Sequence, residues 1–77
     1  MVAPTVAFSL LLSLYVERIE EAVGEHRFND VLALVLEMHF SSCQFLEEGI
    51  ITPCIYKVTN DFCLHMLSLI IDYQQSQ

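Results

Sequence analysis

The chain has 77 residues, 55% of them hydrophobic and 17% charged, with ten acidic and three basic side chains and a formal net charge of −7. Neutralising phosphates needs clustered cations; Arg18, Arg27 and Lys57 are scattered, which argues against a primary role on DNA or RNA and against docking on anionic lipid. A chain this short hides only about 60% of its unfolded surface, and its mean hydropathy is +0.51, so the composition predicts association with itself or with another protein.

The opening stretch, Met1 to Val16, carries no charged side chain. It lacks a basic start and a small-x-small cleavage site, and it falls short of the ~20 apolar residues that span a bilayer. The expectation is therefore an amphipathic helix rather than a leader or a membrane segment. Pro4 is tolerated in a first turn, and Gly24 is placed to supply a left-handed cap, predicting a helix over residues 5–23. On it Phe8, Leu12, Tyr15, Ile19 and Ala22 recur at spacings 4, 3, 4, 3, a coiled-coil-like seam. Glu17, Glu20 and Glu21 lie on the opposite side, with Glu25 following them.

Asn29 or Asp30 is expected to cap a second helix over residues 30–48, ended by Gly49. At about 100° per residue, Asp30, Glu37, Ser41, Gln44 and Glu48 form one polar stripe. Most of the remaining circumference is apolar, which predicts burial on most sides. Thr52 followed by Pro53 is a helix start, giving a third helix over residues 53–74. Its apolar row is read as Ile55, Val58, Phe62, Met66, Leu69 and Tyr73, and Thr59-Asn60 is a weak point at which it could bend or restart. The polar tail Gln74 to Gln77 is expected to fray.

No second strand-like segment exists to pair with residues 49–58, so the fold class is all-α. The expected architecture is a single helical domain over residues 1–77. It is a small three-helix bundle, an antiparallel hairpin plus a third helix, completed by dimerisation.

Chemistry is thinly represented. His39 and Cys43, four apart, share similar sides of the second helix, whereas Cys63 and His65 diverge. No C-x-x-C or H-E-x-x-H motif and no Gly-rich phosphate loop occurs, so no catalytic, cofactor or metal residue is assigned. The chain is not expected to be an enzyme. An odd set of cysteines, Cys43, Cys54 and Cys63, fits a reducing, intracellular and cytoplasmic setting.

The stretch Arg27-Phe28-Asn29-Asp30-Val31-Leu32-Ala33-Leu34-Val35-Leu36-Glu37 resembles a helix in the anticodon-binding domains of class I aminoacyl-tRNA synthetases. It holds no catalytic motif, and tRNA binding is not carried over to so acidic a chain.

The function expected is a non-enzymatic protein–protein interaction or oligomerisation module. Leu34, Met38, Phe40 and Phe45 would anchor a homodimer or another protein partner. One alternative is an acidic regulator or inhibitor in which Glu17, Glu20 and Glu21 dock on a basic protein surface. The other is a metal-binding helical domain. No nucleic acid or membrane partner is expected.

Overall fold

The computed structural model describes residues 3–76. Three helices follow in order: α1 (Pro4–Gly24), α2 (Phe28–Glu47) and α3 (Pro53–Gln75). No strand occurs among the described residues. The bundle is all-α, with each helix antiparallel to the next. α2 packs directly against both α1 and α3, whose backbones do not approach each other. α1 and α3 meet through side chains, with Ile19 and Val23 facing Phe62, Met66 and Leu69 across a shallow groove. The radius of gyration is 13.3 Å, against about 11.5 Å for a compact domain of this length.

α1 buries the seam its spacing predicts. Phe8, Ile19 and Ala22 are buried, and Leu12 and Tyr15 are half-buried. The central core joins Ile19 and Ala22 to Val31, Val35 and Met38 of α2 and to Cys63 and Ile70 of α3. Phe8 and Phe45 close one end of the α1–α2 pair with ring centroids 5.1 Å apart and planes tilted by 59°. Phe28 meets Tyr73 at 4.1 Å at the other end. Edge-tilted aromatic pairs of this kind add about 0.5–1.5 kcal/mol beyond the area they bury.

The first turn differs from the sequence expectation. Gly24 is helical, and the left-handed position falls instead on His26, at φ 58°. His26 N–H reaches the Val23 carbonyl at 3.1 Å and Arg27 N–H the Ala22 carbonyl at 2.9 Å. Those two bonds make a Schellman ending with histidine where glycine is usual. A side chain in this conformation costs on the order of 1 kcal/mol. The His26 ring offsets some of that by stacking on Tyr73, with centroids 6.1 Å apart. The second turn repeats the motif with Gly49 at φ 74°. There Gly49 N–H bonds the Leu46 carbonyl at 3.0 Å and Ile50 N–H the Phe45 carbonyl at 2.9 Å.

α2 also starts earlier than predicted, at Phe28. Neither Asn29 nor Asp30 caps it: Arg27 is the boundary residue, with no side-chain cap bond. Asp30 sits in the first turn and receives the Arg27 guanidinium at 2.7 Å. That ion pair holds the carboxylate beside the positive helix end, where it is favourable. α3 begins as expected: the Thr52 hydroxyl accepts from Ile55 N–H at 3.3 Å, with Pro53 in the first turn.

α3 runs without a break through Thr59-Asn60 and does not restart there. Thr59 is buried, and its hydroxyl donates to the Ile55 carbonyl at 3.0 Å; among the described residues no buried side-chain nitrogen or oxygen lacks a hydrogen-bond partner. The buried row of α3 is Thr59, Cys63 and Ile70, with Met66 beside it. Relative to the predicted row of Ile55, Val58, Phe62, Met66, Leu69 and Tyr73, the helix is rotated by about 80°. Val58 is 66% exposed as a result. At the C-terminus Gln74 and Gln75 are helical, and Ser76 Oγ donates to the Tyr73 carbonyl at 2.9 Å; Gln77, like Met1 and Val2, lies outside the described residues.

Candidate association surface

α2 carries two apolar rows offset by a single residue. Val31, Val35, Met38 and Ser42, spaced 4, 3, 4, are all buried between α1 and α3. Ser42 belongs there because its hydroxyl donates to the His39 carbonyl at 2.8 Å. The next row, Leu32, Leu36, His39 and Cys43, has the same spacing and faces the outer side of the α2–α3 junction. Leu32 is 40% exposed, Leu36 44%, and the flanking Phe40 68%.

α3 continues this surface. A groove between the two helices is lined by Leu36 and His39 from α2 and by Asn60, Leu64 and Leu67 from α3. Leu64 and Ile71 are 56% and 53% exposed. None of Leu32, Leu36, His39, Phe40, Asn60, Leu64, Leu67 and Ile71 carries a carboxylate, a guanidinium or an ammonium group. The exposed apolar side chains among them span two helices, and covering them is favourable; exposed Glu47 of α2 and Lys57 of α3 fall at the same helical angles at the end of the face.

The predicted anchors separate on this geometry. Met38 is 2% exposed and fills the chain's own core. Leu34 is half-buried against that core, and Phe45 is half-buried on Phe8. Phe40 alone of the four stands on the open face. Leu32, Leu36, Leu64 and Ile71 were not singled out from sequence, although the second 4-3-4 row on α2 was there to be found. Glu17, Glu20 and Glu21 are exposed on α1. Among the described residues they make no ion pair, whereas Glu25 binds Arg27 at 2.6 Å. A second apolar strip, Val6, Leu10 and Leu14, is exposed on α1 and runs along the helix into Glu17 and Glu21.

The polar groups beside the α2–α3 groove are few. His39 Nε2 lies 3.6 Å from Cys43 Sγ, and the Tyr56 hydroxyl lies 3.5 Å from the same sulfur. That contact, with partial burial second, raises the Tyr56 pKa above its ordinary 10.0. All three cysteines are free thiols, with Cys54 exposed and Cys63 buried. Among the described residues no three His, Cys, Asp or Glu side chains come together in a group able to hold a metal ion.

Burial, and secondarily the nearby Cys43, pushes the Cys63 thiol above its ordinary 9.0, and the thiol donates to the Val35 carbonyl at 3.9 Å. A folded-state pKa raised in this way favours the folded chain fully below the ordinary thiol pKa. The contribution is lost as pH rises through the raised value. Urea midpoints taken at about pH 7 and about pH 10 should therefore fall further for the native chain than for Cys63→Val. Parallel losses in the two proteins would contradict this assignment.

Among the described residues one helix, α3, is long and apolar enough by length and composition to cross a membrane, a test that core helices of soluble proteins also meet. It carries Lys57, Asp61, His65 and Asp72. No protein-family model, curated protein or solved structure matches the chain. What the fold defines is a class, the small antiparallel three-helix bundle, and the reading of its role rests on its own surface.

Proposed function

We propose that this chain is a non-enzymatic, intracellular association module. Its α2–α3 face docks on the same face of a second copy. The observation that carries the reading is the exposed apolar surface built by Leu32, Leu36, Phe40, Leu64, Leu67 and Ile71. A two-fold axis lets one such patch cover itself, so no second complementary surface is needed. Two chains of charge −7 repel, so apolar burial has to outweigh that repulsion. The α1 strip of Val6, Leu10 and Leu14 is the weaker candidate, because it is one helix wide and leads into glutamates.

Sedimentation equilibrium of the reduced protein in EDTA at micromolar concentration tests the reading. A dimer is expected, dissociating on dilution. A monomer at every concentration, with nothing co-purifying, would sink it.

A second reading has one observation of its own: Glu17, Glu20 and Glu21 stand exposed on α1, and none makes an ion pair among the described residues. Such a face suits a basic protein surface, and its effect would fall chiefly on association rate and be screened by salt. Replacing all three by Gln separates the two readings. Self-association should be unchanged or slightly tighter, whereas capture of a basic partner would weaken and lose its salt dependence.

A further inference from the structure

We propose that the shallow groove between α1 and α3 takes an amphipathic helix of another protein, one whose apolar row is flanked on both sides by Lys or Arg. This site rests on the second reading above, to which it gives a place and a partner, and it leaves the α2–α3 face free.

The floor of the groove is apolar. Ile19 and Val23 of α1 face Phe62, Met66 and Leu69 of α3, with Glu20 at the edge. Leu12 and Val16, beside Glu17 and Glu20, line a second hollow that continues it along α1. Val58 falls at nearly the same helical angle as Leu69, and the two are 66% and 41% exposed. From Val58 to Leu69 the floor runs about 16 Å, three turns of helix. The backbones of α1 and α3 do not approach each other, although both pack on α2. A fourth rod can therefore lie over the gap and extend the arrangement to a four-helix bundle. An extended peptide would find no sheet edge here to pair its backbone groups. The hollow at Phe62 and Met66 holds about 180 Å³, below the ~300–1,000 Å³ of a small-molecule site. It suits a large side chain anchored from a docked helix, and Met66 can adapt to its shape.

Charge identifies the occupant. Both rims are acidic: Glu17 and Glu20 stand exposed along α1, and Asp61 and Asp72 along α3, with His65 between them. None of these carboxylates makes an ion pair among the described residues. The three basic side chains of the chain lie elsewhere. Arg18 and Arg27 line a different groove, between α1 and α2, and Lys57 falls at the end of the α2–α3 face. A second copy, an anionic lipid or a nucleic acid would meet like charge on both sides. A helix with apolar residues at i, i+4, i+7 and i+11 and cations on either side would meet floor and rims together.

The probe is a fluorescein-labelled, alanine-based peptide of about 16 residues with one Leu row at that spacing and Lys on both flanks. Phe and Met versions vary the anchor, and a scrambled peptide keeps the composition. Anisotropy with the reduced full chain should show micromolar binding, at least about tenfold tighter than for the scrambled peptide. Glu20→Gln should weaken binding about threefold, and Glu17→Gln, Glu20→Gln, Asp61→Asn and Asp72→Asn together about tenfold, with a flattened salt dependence. Glu21→Gln, on the α1–α2 groove, should change it by less than about twofold. Leu69→Ala should cost about fivefold. Methyl resonances of Val16, Val23, Met66 and Leu69 should shift, and those of Leu32 and Leu36 should not.

Equal binding of the scrambled peptide, or a loss from Glu21→Gln as large as that from Glu20→Gln, overturns the groove and leaves the broader acidic-surface reading standing. Shifts centred on Leu36 and Leu64 overturn the groove alone. No binding of any of these cationic peptides at low salt overturns both.

Discussion

Leu36→Glu combined with Phe40→Glu is expected to convert the protein to a monomer without unfolding it. Leu36 and Phe40 are 44% and 68% exposed, so the single chain loses little packing when they become polar. In the proposed dimer the same changes would bury four carboxylates across a symmetric contact on a chain already at −7. Truncating a central apolar anchor costs about 2 kcal/mol or more, and an unpaired buried charge costs further, so the dimer should weaken by at least about a hundredfold. Circular dichroism should show the helical content and the melting transition retained at low concentration. If the double variant still dimerises with native affinity, the contact lies elsewhere on the molecule.

The second large effect belongs to the core. Met38→Ala removes a side chain that is 2% exposed among Val31, Val35, Ile19 and Cys63. Large-to-small changes of this kind cost about 2–5 kcal/mol. A domain of this length has on the order of 4–12 kcal/mol in total, so the loss is a large share of what keeps it folded. At about 4–8 °C per kcal/mol for a chain this size, the melting temperature should fall by about 10 °C or more. Phe40→Ala, two residues away, should cost the monomer about 0.5 kcal/mol or less. The pair of variants separates a residue of the chain's own core from one on the surface proposed to meet a second copy. Equal losses of monomer stability would mean that the rows on α2 have been assigned the wrong way round.

That comparison also marks how far the sequence could be read. Three helices, their approximate ends and the α1 seam of Phe8, Leu12, Tyr15, Ile19 and Ala22 were legible, because apolar residues there follow one period with polar residues opposite. α2 was harder for a physical reason. Val31-Val35-Met38 and Leu32-Leu36 are both apolar, so hydropathy cannot say which row faces inward. Only the positions of α1 and α3 decide it, and they put Met38 inside and Phe40 outside.

α3 misled for a related cause. Ranking by large apolar side chains favours Val58 and Leu69, while the buried row contains Thr59 and Cys63. Their polar atoms are satisfied within the fold, at the Ile55 and Val35 carbonyls. The first turn was hidden because Gly24 is the residue that favours a left-handed conformation, yet the fold places that conformation at His26, where the ring can reach Phe28 and Tyr73.

The α2–α3 face as the contact between two copies is tested most directly by isotope-filtered NMR on an equimolar mixture of labelled and unlabelled chains in EDTA. Intermolecular nuclear Overhauser effects should connect the methyl groups of Leu32, Leu36, Leu64 and Ile71 and the Phe40 ring of one copy with the same set in the other. Intermolecular effects confined to Val6, Leu10 and Leu14 of α1, or none in a sample that sediments as a monomer, would contradict the account.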